Sequence, residues 1–136
     1  MAIKSVKEMV KAAKAEIKQM SVEEAQKRNG DDDILLVDIR DVRELDRDGR
    51  VPNAFHAPRG MLEFWVSPDS PYHKELFADE SKTYVFFCAA AARSSLAVKT
   101  LQDMGMENIA ELGRGFKGWR EAGGPIEGGP IDGGKG

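Results

Sequence analysis

Short continuous apolar runs alternate along this chain with stretches in which apolar residues return at helical spacing. The first such stretch opens at Ser5-Val6-Lys7-Glu8, the spacing of a capping box. It carries Val6, Met9, Val10 and Ala13 on one face, which predicts a helix from Ser5 to about Ala15. Pattern alone leaves open whether that helix continues through Ile17 or gives way to a short strand over 17–20. Ser21-Val22-Glu23-Glu24 is a second capping box, with Met20 before it as a hydrophobic staple. Asn29-Gly30 is the pair that should end the helix it starts.

Ile34-Leu35-Leu36-Val37 and Tyr84-Val85-Phe86-Phe87 are apolar without alternation, as strands covered on both faces are. Between them, 49–58 reads as a loop around a short apolar piece at 54–56. Met61 to Val66 is apolar and aromatic, and Ser67-Pro68 with Ser70-Pro71 forces a turn. After the second strand, Ala97, Leu101 and Met104 mark the core face of a helix that Gly105 should end. Ile109 to Leu112 predicts a third strand, and Phe116 with Trp119 a short helix behind it. Strands alternating with helices predict an α/β domain with a largely parallel central sheet. The division expected is an amphipathic helix over 1–16, the α/β domain over 17–122 and a flexible Gly/Pro tail over 123–136, where Gly-Gly-Pro-Ile repeats.

Composition narrows the function classes. The 136 residues are 41% hydrophobic and 32% charged, which suits one globular domain rather than a disordered chain. A net charge of −3 gives no general attraction to nucleic acid or an anionic membrane, and no apolar run reaches the length of a membrane span. The N-terminal stretch has lysines where a leader peptide would be apolar, and a lone cysteine cannot form an internal disulfide. The default compartment is therefore cytoplasmic. The two histidines are far apart in sequence and carry no metal-ligand spacing.

The candidate chemistry lies in 84–95. Cys88 follows a strand and precedes a helix, and in parallel sheets ligands bind beyond the carboxyl ends of strands. Helix N-terminal amides favour an anion, so a thiol there is pushed toward thiolate, the form that attacks. Ala89, Ala90, Ala91 and Ala92 leave their amides unobstructed, Arg93 adds a planar cation suited to oxyanions, and Ser94 and Ser95 are placed to cap the helix. A buried, inert cysteine is the plain alternative, and Arg93 five positions on weighs against it. Arg59 and Arg114 are candidate rim cations, set against ordinary surface charge. Phe64, Trp65, Phe116 and Trp119 are aromatics for a pocket mouth or the core.

The chain resembles the rhodanese-like domain family from about Met20 to Trp119. The resemblance rests on Val37-Asp38-Ile39-Arg40-Asp41 with Glu44-Leu45, on Gly49-Arg50-Val51-Pro52-Asn53-Ala54 leading to Ala57-Pro58, on Cys88 to Ser94, and on Leu112-Gly113-Arg114-Gly115-Phe116 with Trp119. It implies that Cys88 takes a sulfane sulfur from a small anionic donor such as thiosulfate, holds it as a persulfide in the cradle of Ala89 to Arg93, and passes it to a thiol, a protein or cyanide. It implies no cofactor and an architectural role for Asp38 and Arg40. Ala91 stands where the family's loop has glycine, so a left-handed backbone there would be strained.

Three other readings stay open. A cysteine phosphatase or arsenate reductase uses C-x5-R, one residue longer than the interval here. A non-catalytic binding or regulatory module needs neither Cys88 nor Arg93, and a protein-to-protein sulfur relay would need both. The apolar face of the first helix should pack on the domain or on a second copy, making a homodimer through that helix a candidate assembly.

Overall fold

The computed structural model describes residues 2–129. Its elements run α1 (Val6–Lys14), β1 (Gln19–Met20), α2 (Val22–Arg28), β2 (Ile34–Asp38), α3 (Val42–Asp48), β3 (Phe55–His56), α4 (Leu62–Val66), β4 (Thr83–Phe87), α5 (Arg93–Asp103), β5 (Ile109–Leu112) and α6 (Gly115–Glu121). Single 3-10 turns lie at Arg59–Met61 and Glu75–Phe77. The five strands form one sheet in the order β1-β5-β4-β2-β3, and every pairing is parallel.

The apolar runs become strands because both of their faces are covered. On one side Leu36, Val85, Phe87 and Leu112 meet Val22 and Ala25 of α2 and Phe116 and Trp119 of α6. On the other, Val37, Tyr84, Phe86 and Ile109 meet Ala97, Val98 and Leu101 of α5, with Leu62 and Phe77. Helices thus flank both faces of the sheet. The capping serines supply half of each expected box, Ser5 Oγ accepting from the Glu8 amide at 3.4 Å and Ser21 Oγ from the Glu24 amide at 3.0 Å, while the reciprocal box forms instead at Asp41, whose amide donates to Glu44 Oε1 at 3.2 Å.

Three expectations need correction. Met104 is 44% exposed, because α5 has ended by then; Val98 takes its place in the core. Ser94 and Ser95 do not cap α5, whose N-cap is Ala92 with no side-chain bond, because both hydroxyls turn inward to a buried carboxylate. The chain also does not run free from residue 123: Trp119 Nε1 donates to the Pro125 carbonyl, Ile126 packs on the core, and Glu127 exchanges two backbone bonds of 2.8 Å with Arg50. The remainder of the expected tail, 130–136, lies outside the described residues.

At the carboxyl edge of the sheet a buried ion pair ties the loops together. Arg40 Nε and Nη2 donate to the Asp38 carboxylate at 2.9 and 2.7 Å, and Nη2 also reaches the Gly49 carbonyl. The guanidinium lies 4.1 Å over the Phe116 ring, and the Arg40 carbonyl meets His56 Nε2 at 2.7 Å. Asp38 and Arg40 are both 1% exposed with their polar atoms paired, which is how a charged pair is tolerated beneath a site. Helix α1 packs on α5 through Ala13 and the Lys99–Glu16 ion pair beyond its end, while Val6 and Met9 remain 60% and 42% exposed.

Candidate active site

Strand β4 delivers Cys88 to the carboxyl edge of the sheet, and the chain then turns through Ala89 to Ala92 into α5. The sulfur is buried, and the backbone amides of Ala90, Ala92 and Ser94 point at it. Burial opposes ionisation of the thiol, but it is outweighed by the Ser94 hydroxyl, whenever that gives its proton to the sulfur, together with those amides, so the pKa of Cys88 lies below the ordinary thiol value. Such a ring of inward amides is a nest for an anion centred on one sulfur.

The turn is held from outside by its carbonyls. The first amides of α6 are spent on it: Phe116 N–H donates to the Cys88 carbonyl at 2.8 Å and Lys117 N–H to the Ala89 carbonyl at 3.0 Å. Gly115 (φ 59°) makes this approach possible, since a Cβ there would stand 2.6 Å from the Cys88 carbonyl oxygen. Lys14 of α1 closes the far side, donating from Nζ to the Ala91 carbonyl at 2.6 Å. Ala91 itself has φ 68°, a left-handed position that a Cβ disfavours.

Arg93 opens α5 with its side chain partly exposed. It is engaged by Glu44 of α3 in a two-armed pair, Nη1 to Oε1 at 2.7 Å and Nη2 to Oε2 at 3.0 Å. Glu44 raises the Arg93 pKa, with the nearby Cys88 sulfur adding to that hold, and Arg93 in turn keeps the Glu44 carboxyl below its usual range. The structure therefore gathers Cys88, Ala89 to Ala92, Arg93 and Ser94 around one point. It does not bring the other candidates there: Arg59 pairs with Glu63, Arg114 reaches Gly118 and Glu121, and His73 lies against Glu75. Phe116 and Trp119 are core residues, Trp65 packs edge-on against Phe55, and Phe64 is exposed. Cavities of about 280 and 470 Å³ open elsewhere, beside Lys18 and Asn108 and between Val66, His73 and Met106. Among the described residues no group of at least three His, Cys, Asp or Glu side chains is gathered as a metal site requires.

Sequence reasoning missed the residues that support the loop. Glu111 lies in the middle of β5 with no exposure of its side chain, and its Oε2 accepts from Ser94 Oγ and Ser95 Oγ, both at 2.6 Å. Gln19 Nε2 (2.7 Å) and Lys14 Nζ (3.1 Å) complete its shell on Oε1. The available signal was a carboxylate inside a four-residue apolar strand, which demands buried partners. Glu44 and Lys14 carried no such signal, since each falls on a helix where a charged residue is ordinary.

A family model for the rhodanese-like domain matches residues 21–122, and the chain belongs to that family. Among solved structures it is similar to a Rhodopseudomonas palustris protein of unknown function, described as a possible tyrosine phosphatase, at 45% identity and TM-score 0.87, covering 93% of this chain and 97% of that one. It is also similar to the homodimeric polysulfide-sulfur transferase of Wolinella succinogenes, at 37% identity and TM-score 0.65, over 88% and 85% of the two chains. Among curated proteins it is 29% identical to the dual specificity phosphatase Cdc25 of Arabidopsis thaliana over 102 residues, 68% of this chain and 66% of that protein. The chain spans about half to two thirds of the length of the curated relatives it matches.

Because Ala91 is left-handed, Ala91→Gly should relieve the strain at that position. We expect a gain of roughly 0.5–1 kcal/mol in denaturant unfolding, part of the gain being offset by the freer unfolded chain. A loss of stability would mean that the methyl group's packing outweighs the strain.

Proposed function

We propose that this protein is a sulfurtransferase that carries sulfur as a persulfide on Cys88. The observation that carries the reading is the ring of amides from Ala90, Ala92 and Ser94 around a thiol whose pKa is lowered, with Arg93 beside it. The thiolate attacks the outer sulfur of an anionic donor such as thiosulfate. The donor's S–S bond breaks, sulfite leaves with its electron pair, and a Cys88 persulfide remains, its negative outer sulfur held by the amides. A thiol, a partner protein or cyanide then attacks that outer sulfur and regenerates the thiolate. Two half-reactions through one covalent intermediate predict ping-pong kinetics. No metal or organic cofactor takes part, and a cytoplasmic setting would keep the lone thiol reduced between turnovers.

Arg93 would place the donor's sulfonate end, but it already serves Glu44. A donor bearing two charges has to share or displace that carboxylate, so the ion pair tempers affinity for small dianions. A persulfide or polysulfide donor needs the arginine less. This favours sulfane donors of lower charge as natural substrates.

A phosphatase reading has support in the descriptions of two relatives. It requires a cradle wide enough for a tetrahedral phosphoryl group, and the interval from Cys88 to Arg93 is one residue shorter than C-x5-R. A purely regulatory module would have no use for the nest and its cation. For assembly we propose a homodimer through α1, because Val6 and Met9 stay exposed on a face otherwise suited to packing and one relative is a homodimer. Val6→Lys with Met9→Lys should then halve the mass seen by light scattering. A wild-type chain that is already monomeric at working concentration would sink that proposal.

Steady-state kinetics test the function. Cys88→Ser should abolish transfer from thiosulfate or polysulfide to cyanide. Arg93→Ala should cut thiosulfate use by about ten-fold or more, since bonds to charged groups are worth about 1.5–3 kcal/mol, and should affect polysulfide less. Glu44→Gln should lower the KM for thiosulfate by freeing the guanidinium. Turnover surviving in Cys88→Ser, or Cys88-dependent hydrolysis of an aryl phosphate in place of sulfur transfer, would refute the assignment.

A further inference from the structure

Beneath the Cys88 loop lies a carboxylate that the sulfur-transfer steps do not use. Glu111 accepts from four donors, and a carboxylate can only accept, so both serines that reach it at 2.6 Å give it their single hydroxyl protons, Ser95 in preference to the Ala91 carbonyl at 3.1 Å. Ser94 Oγ stands at the same time 3.4 Å from the Cys88 sulfur. Its one proton has two claimants. The short charge-assisted bond to Glu111 holds it, so Ser94 turns a lone pair toward the sulfur. That arrangement suits a thiol, which can donate S–H to the oxygen. It opposes a thiolate, which must either face that lone pair or draw the proton away from Glu111.

We propose that Glu111 and Lys14 are positioning residues that set the ease of Cys88 ionisation, Glu111 by competing with the sulfur for the Ser94 proton and Lys14 by offsetting the carboxylate. The buried negative charge acts in the same direction as the hydrogen bond, since an anion near the sulfur disfavours a second one. Lys14 acts against both. Its ammonium neutralises Glu111 and would keep that carboxylate supported when Ser94 turns to the thiolate, and its bond to the Ala91 carbonyl fixes the loop. The amides of Ala90, Ala92 and Ser94 then supply the pull toward thiolate, with Glu111 as the brake and Lys14 as its release. Because Lys14 belongs to α1, the packing of that helix is read out at the nucleophile.

The groups facing Glu111 from each packed element are few. Helix α1 gives the cation Lys14, β1 the neutral Gln19 and α5 the neutral Ser94 and Ser95, while on β4 its register partner is Phe86. Around the sulfur itself the charged neighbour is Arg93, which remains a cation throughout. Glu111→Gln therefore changes the balance at the carboxylate, and Lys14→Met changes it there and at the Ala91 carbonyl.

The inference deepens the persulfide reading but its test does not depend on it, because alkylation of Cys88 needs no sulfur donor. The rate of iodoacetamide modification of the full-length chain is followed against pH, with circular dichroism and melting as controls for the fold. Glu111→Gln should move the midpoint of the profile down by about one pH unit, since it removes the charge and frees the Ser94 proton. Lys14→Met should move it up by a similar amount. A merely structural role predicts lower melting temperatures with an unmoved midpoint, and that result in either folded variant overturns the proposal. Should Glu111→Gln not fold, Lys14→Met decides alone: an upward shift supports the proposal and an unchanged or lowered midpoint refutes it. Loss of sulfur transfer with the two opposite shifts intact would count against the function and not against this pair.

Discussion

To pass from β4 into α5 with amides turned inward on one sulfur, the backbone must turn its carbonyls outward and find partners for them. That constraint organises the carboxyl edge of the sheet. The Cys88 and Ala89 carbonyls are met by the first amides of α6, and the Ala91 carbonyl by Lys14 from the opposite side. The glycine at 115 is required because a carbonyl passes where a Cβ would stand. The left-handed Ala91 is the geometric consequence of the same turn, tolerated because its neighbours on both sides are fixed. The loop is thus clamped between α6 on one face of the sheet and α1 on the other.

The charged residues below the loop follow a second rule, that a buried charge survives only with its full complement of partners. Asp38 with Arg40, and Glu111 with Lys14, Gln19, Ser94 and Ser95, each meet it. Asp38 and Arg40 fix the loop after β2, and the Arg40 guanidinium lies over Phe116 of α6, so the pair helps to hold the helix whose amides grip the Cys88 turn. Glu111 orders the first turn of α5. Glu44 and Arg93 instead pair at the rim, where the arginine side chain stays 45% exposed.

The parts of the fold that were legible in the sequence are those with an unambiguous physical signature. Ile34 to Val37 and Tyr84 to Phe87 are strands because they are apolar on both faces but for the Tyr84 hydroxyl, which reaches the Leu76 carbonyl, and Ser5 and Ser21 start helices because their oxygens find amides three residues on. The strands at 19–20 and 55–56 are too short to show a period; their partners across the sheet define them. At the site, Cys88, the alanine loop and Arg93 were visible because they are adjacent in sequence. Ser94 and Ser95 were misread as caps, since the carboxylate that claims them lies 17 and 16 positions away and sequence order gives no hint of that approach. Lys14, 77 positions from Ala91, escaped for the same reason, and Glu44, though part of the first motif block, gave no sign of its pairing with Arg93 49 positions on.

The central claim is that Cys88 holds a transferable sulfur, and intact-mass spectrometry tests it most directly. The reduced protein is incubated with thiosulfate or polysulfide, desalted, weighed, and digested to locate any adduct. The account predicts one added sulfur atom on Cys88, removed quantitatively by cyanide or a thiol and absent from Cys88→Ser. A reduced, alkylatable Cys88 that gains no sulfur from either donor would contradict it.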